Sequence, residues 1–262
     1  MEAVAIVHWS FSPPDYFERD VTVVHEGHQM NISQGKVEAG IDPSVYDADA
    51  GLRGRLHAAL NDRFLGVQLV THKPYTLPEP NLVRVDESGK FHHYVELRGV
   101  LATAMGGSMD FVVSDKDGNV VIDTKKERME RKLSVAELIS KHRSADTTLA
   151  ATLRSHDAAV READHELVHL YEIRDALQTR FGNAGAAQTA LGITDTKWRR
   201  LGQLCNGEPL RQGRHNGVHG TALRDATDAE LVEARSIALE MINAYLQILE
   251  LPPQNTTTGI GS

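Results

Sequence analysis

The sequence predicts an α+β chain: a mixed α/β module over residues 1–145, a helical bundle over 146–251 and a disordered polar tail over 252–262. Three observations carry that prediction. Short β-branched runs and turn signals crowd the first half, apolar residues at helical spacing fill the second, and the composition turns helical near Ser144. The 262 residues, 41% hydrophobic and 24% charged, hold one large or two modest domains.

Residues 4–7 and 21–24 are β-branched runs separated by Ser12, Pro13, Pro14 and Asp15, a turn cluster. Residues 30–41 alternate more loosely around Gly35 and Gly40. Leu52, Leu56, Ala59, Leu60 and Phe64 form a helical stripe, and the apolar run 67–70 predicts a buried strand. Two prolines make 75–81 a loop. Residues 91–97 and 111–113 are further strands, and Asp117-Gly118 supplies the turn that pairs 111–113 with 120–122. The charge cluster 125–132 predicts a solvated helical face.

In the second half, apolar positions from Leu153 to Phe181 predict one long helix over 150–181, stopped at Gly182. Two short helices, 186–191 and 196–204, flank Gly192. Thr227-Asp228-Ala229-Glu230 is a capping-box signature that opens a last amphipathic helix, ended by Pro252 and Pro253.

The formal net charge is −8, yet residues 174–225 hold eight Lys/Arg against four Asp/Glu, a local excess of four. Cys205 is the single cysteine, which excludes an intramolecular disulfide and fits a reducing compartment. The start carries no basic region ahead of its short apolar run, and no window reaches the length of a membrane span. A cytoplasmic chain without a membrane partner is expected. No Walker or dinucleotide glycine pattern is present, so no cofactor is expected.

Three stretches could carry chemistry. His165-Glu166-Leu167-Val168-His169 matches H-E-x-x-H, in which two histidines one turn apart hold zinc and the glutamate acts as base. On a continuous helix, however, His165 and His169 fall opposite the apolar stripe, and no third ligand stands at a recognisable spacing. No metal site is expected. Residues 187–204, with Gly192 between helices and Lys197, Arg199 and Arg200 on the second, have the outline of a helix-turn-helix or of an ordinary helical hairpin.

The third stretch, residues 209–220, interleaves Arg211, Arg214, His215 and His219 with Gly213, Gly217 and Gly220. Arginine is a permanent, forked partner for phosphate oxygens. Histidine exchanges protons near neutral pH. Arg214 and His219 are five apart, in an R-x-x-x-x-H spacing. They follow a helix bearing His169-Leu170-Tyr171-Glu172-Ile173-Arg174-Asp175-Ala176-Leu177 and precede the capped helix.

This order over about residues 150–250 resembles the HEPN superfamily, whose ribonuclease members carry an R-x4-6-H motif with a polar residue after the arginine, here His215. The resemblance implies metal-independent RNA cleavage by a homodimer. His219 would transfer protons and Arg214 would neutralise charge on the phosphoryl oxygens. Arg211, His215 and Asn216 would hold substrate, Asn216 also orienting the histidine. It further implies a toxin or phage-defence effector, with a regulatory partner acting through the N-terminal module. The alternatives are a non-catalytic HEPN-like interaction or nucleic-acid-binding module and, behind it, a zinc-dependent hydrolase.

Overall fold

The computed structural model describes residues 3–88, 90–94, 110, 112–114, 120–214 and 222–252. The chain is α+β and divides into two compact units, Met1–Ser140 and Lys141–Ser262.

The first unit is built on a six-stranded sheet in the order β2-β3-β4-β1-β5-β6. Its strands are β1 (Val4–Ser10), β2 (Val21–His25), β3 (His28–Ser33), β4 (Lys36–Ile41), β5 (Asn81–Val85) and β6 (Phe91–Tyr94). Every pairing in it is antiparallel. Two tight hairpins set the register of β2, β3 and β4. Glu26-Gly27 (φ 49° and 81°) and Gln34-Gly35 (φ 44° and 81°) both take positive φ, the geometry that matches the twist of paired strands. Alternation then decides the faces. Ala5, Val7 and Trp9 of β1, and Val37, Ala39 and Ile41 of β4, are buried.

The short helix α1 (Pro43–Ala48) is capped by Asp42, and the 20-residue α2 (Leu52–Thr71) contributes to the same core as the sheet. The run 67–70, expected as a strand, belongs to α2. Val67 and Leu69 are almost fully buried, so the second half of this helix, 62–69, is covered nearly all round and loses the one-sided pattern that marks its first half. Phe11, Tyr16, Phe17, Phe64 and Tyr75 form an aromatic cluster with ring centroids 4.9–6.2 Å apart.

A hairpin of β7 (Val112–Ser114) and β8 (Val120–Asp123) runs into α3 (Thr124–His142). The turn expected at 115–119 lies outside the described residues, as do 95–97 and Phe111. Helix α3 crosses α2 closely enough that a Cβ on Gly66 would stand 2.3 Å from the Ala136 Cα. Its Arg128 and Lys132 both reach Glu18.

The second unit is helical: α4 (Thr147–Arg161), α5 (Glu166–Phe181), α6 (Ala184–Leu191), α7 (Asp195–Gly202) and α8 (Asp228–Glu250). The long helix expected over 150–181 is two helices, packed as a hairpin through the 3₁₀ turn Ala163–His165. No glycine or proline marks this break. Glu162 leaves helical geometry (φ −116°, ψ 69°), and the polar run Glu162-Ala163-Asp164-His165 turns the corner. Asp146 caps α4 and also accepts from the Tyr245 hydroxyl of α8, at 3.0 Å.

Candidate functional site

The H-E-x-x-H match straddles the start of α5 rather than riding inside a helix. His165 is exposed in the 3₁₀ turn, whereas Glu166, one residue on, is 2% exposed. Both carboxylate oxygens of Glu166 accept from the Arg235 guanidinium of α8, Oε2 from Nη2 at 2.7 Å. A carboxylate held this way is a structural anion, not a base open to water. His169 has carboxylates at both ring nitrogens: Glu162 lies 3.1 Å from Nε2 and Glu172 lies 3.3 Å from Nδ1. Among the described residues no group of three or more His, Cys, Asp and Glu could hold a metal ion.

Residues 187–204 form two helices around Gly192, whose φ of +64° makes it the left-handed C-cap of the first. The second helix, however, turns its cations inward to α8. Lys197 pairs with Glu240 at 2.6 Å and Arg200 with Glu233 at 2.9 Å, while Trp198 and Leu201 are buried. Arg199, the most exposed of the three, pairs with Asp195 of its own helix. Two of the three charges that would read a DNA groove are thus spent on α8 carboxylates.

Other cations of the basic stretch are paired as well. Arg211 faces Asp225, Arg224 pairs with Glu230, and Arg180 donates to the Tyr245 hydroxyl. Glu230, Glu233 and Glu240 lie in α8, beyond the window in which the local excess was counted. The sequence sees a basic patch because its counter-charges arrive from a later helix.

Both described ends of the arginine–histidine stretch, Pro209–Arg214 and Ala222–Ala226, are tied down by hydrogen bonds. After α7 the chain makes a π-helical turn, Gln203–Gly207, which leaves the Cys205 carbonyl without an intrahelical partner. The Arg214 amide supplies it, at 2.7 Å. Gly213 permits this approach, since a Cβ there would stand 2.8 Å from the Cys205 carbonyl oxygen. Gln212 ties this segment to α5 and to the residues that lead into α8: its carbonyl accepts from the Val168 amide in the first turn of α5, and its side chain accepts from the Ala226 amide. The Arg211 amide donates to the Arg224 carbonyl and the Arg224 amide to the Pro209 carbonyl, so the two feet of the loop are paired.

Arg214 is therefore fixed at its backbone and half-buried at its side chain. Nη1 lies 3.2 Å from the Asp175 carboxylate, and the guanidinium carbon is 5.0 Å from the centroid of the Tyr171 ring. The Arg174 guanidinium is also 5.0 Å from that centroid, and 5.1 Å from Trp198. The Cys205 thiol is buried nearby, and burial pushes its pKa up to about 12, which makes it an unreactive thiol at neutral pH.

Of the sequence-derived site, Arg211 and Arg214 are placed as above. His215, Asn216 and His219 lie outside the described residues. Tyr171, Arg174 and Asp175 had no assigned role in the sequence. Their i, i+3, i+4 spacing, which puts three such groups on one face of a helix ahead of an arginine loop, is the signal that could have found them. No helix among the described residues is long and apolar enough to cross a membrane. No family model matches the chain, and neither a curated protein nor a solved structure matches it at a significant level.

Proposed function

We propose that the second unit is a HEPN-like, metal-independent RNA endonuclease domain, with Arg214 and His219 as its reacting pair. The observation that carries this is the treatment of Arg214. The chain spends a π-helical turn, a glycine and two backbone hydrogen bonds on holding one half-exposed guanidinium at the mouth of a loop. His219 follows five residues later in the sequence.

The substrate is single-stranded RNA, whose 2′-hydroxyl attacks the adjacent phosphorus and expels the 5′-oxygen of the next nucleotide, leaving a 2′,3′-cyclic phosphate and a protonated 5′-hydroxyl. His219 moves the proton, and Arg214, released from Asp175, meets the charge growing on the phosphoryl oxygens. Arg211, His215 and Asn216 hold the backbone. A homodimer would bring two such loops to one cleft. A toxin or defence role belongs to this reading, with a regulatory partner acting through the first unit.

The test is incubation of the purified chain with single-stranded RNA in EDTA. Cleavage that persists with chelator and is lost in both Arg214→Ala and His219→Ala is the expected result. Unchanged activity in either variant removes that residue from the site.

One observation favours a second reading, a non-catalytic RNA-binding or interaction module. Seven of the eight basic residues between 174 and 225 are already engaged by acids or a hydroxyl within the unit. Binding without turnover in the same assay would select it.

A further inference from the structure

Arg174 is the exception among those eight. Among the described residues it makes no hydrogen bond and no ion pair, and its Nε is sealed from water without an acceptor. Its guanidinium lies against the rings of Tyr171 and Trp198 and close over Gly202, where a Cβ would stand 2.9 Å from Nη1. The Trp198 indole N–H beside it is likewise buried without an acceptor, in a residue only 2% exposed. Two unpaired donors thus meet in one cluster. A buried donor left unmade is costly, and a charged one more so.

The second guanidinium over the same Tyr171 ring is that of Arg214. Both guanidinium carbons stand 5.0 Å from that ring centroid, so two like charges flank one ring. What such a cluster lacks is an acceptor-rich anion. A carboxylate offers two oxygens, and Arg214 already holds one at Asp175. A phosphoryl group offers more acceptors and suits two forked donors. We propose that Arg174 and Arg214 together bind one phosphoryl group, a backbone phosphate of RNA, with Tyr171 as the shared face on which both cations rest. This rests on the RNA reading of the same loop and adds to it a binding residue on α5.

The test uses the full chain carrying Trp9→Phe, which leaves Trp198 as its sole tryptophan. A 2′-O-methyl single-stranded oligonucleotide, which lacks the attacking hydroxyl, is titrated while Trp198 emission and oligonucleotide anisotropy are followed across salt concentrations. Inorganic phosphate is titrated in a parallel arm. The oligonucleotide is expected to change Trp198 emission. Arg174→Gln is expected to weaken binding at least about fivefold and to reduce the salt slope by about 0.7, one phosphate contact on a single strand. Arg174→Lys, which keeps the charge and loses the fork, is expected to fall between. An emission change with inorganic phosphate as well assigns recognition to the phosphoryl group alone; a change with the oligonucleotide only assigns it to the strand.

Wild-type affinity and slope in both Arg174 variants would overturn the proposal, and so would a Trp198 emission indifferent to bound oligonucleotide. Should Arg174→Gln fail to fold, the lysine variant and the emission of the unsubstituted site still decide. Loss of cleavage in Arg214→Ala with unaltered Arg174 variants sinks only the Arg174 assignment. A chain that neither binds nor cleaves RNA sinks both.

Discussion

Glu166 and Glu230 are carboxylates with two different tasks, and each yields a prediction. Glu166 is buried and stable only as half of a pair, so Arg235→Ala strands a charge inside the bundle. Breaking a buried pair typically loses 3–5 kcal/mol, and because a third of the Arg235 side chain reaches water the expected loss is about 3 kcal/mol in denaturant unfolding. Glu230 is held by the Arg224 guanidinium and by the Thr227 amide, which draw its pKa from the ordinary 4.5 to about 2. Its folded-state pKa is depressed, so its contribution is complete above pH 4.5 and disappears as the pH falls through 2. Thermal melts of wild type and Glu230→Gln should differ most at neutral pH, converge between pH 4.5 and 2, and coincide below that.

At the scale of elements, Gly66 and Gly213 mark where two segments touch. Gly66→Ala drives a methyl into the backbone of α3 at Ala136 and should cost about 3 kcal/mol, whereas Gly192→Ala meets open space and should cost only about 1 kcal/mol for its left-handed backbone. Equal losses in equilibrium unfolding would contradict the α2–α3 crossing. Gly213→Ala should cost about 1–2 kcal/mol and, by lifting the Arg214 amide from the Cys205 carbonyl, weaken RNA binding as well.

Elements were legible in sequence wherever a local device sets them. The Thr227 capping box, the helix break at Gly192 and the β7–β8 pairing could all be read from neighbouring residues. What was hidden depends on distant ones. Val67 and Leu69 look like strand residues because the second half of α2 is covered on almost every side. The α4–α5 corner carries no breaker, since what holds Glu166 at its first turn is Arg235, 69 positions later. In the candidate site the arginines were visible as residue types, but their availability was not. Only packing shows that Lys197 and Arg200 are neutralised by α8 and that Arg174 is not.

For the whole molecule, a net charge of −8 repels a polyanion, and most of the cations near the loop are matched internally. RNA affinity should therefore be modest. With Arg174 and Arg214 as the principal phosphate contacts, the plot of log affinity against log salt should have a slope near about −1.4. A slope several times steeper would show that a broad basic surface, not a two-arginine site, carries binding.

Glu230 also joins two events that are separate in the chain. The same carboxylate completes the capping box of α8, by accepting from the Thr227 amide at 2.8 Å, and receives both ends of the Arg224 fork at 2.6 and 2.8 Å. Starting the last helix and closing the foot of the arginine loop therefore draw on one acceptor. In a double-mutant cycle, Arg224→Ala and Thr227→Ala should be non-additive, with a coupling of about 0.5–1 kcal/mol. A chain built this way cannot loosen the Arg211–Arg224 pairing without fraying the start of α8, so motion at one would be reported by hydrogen exchange at the other.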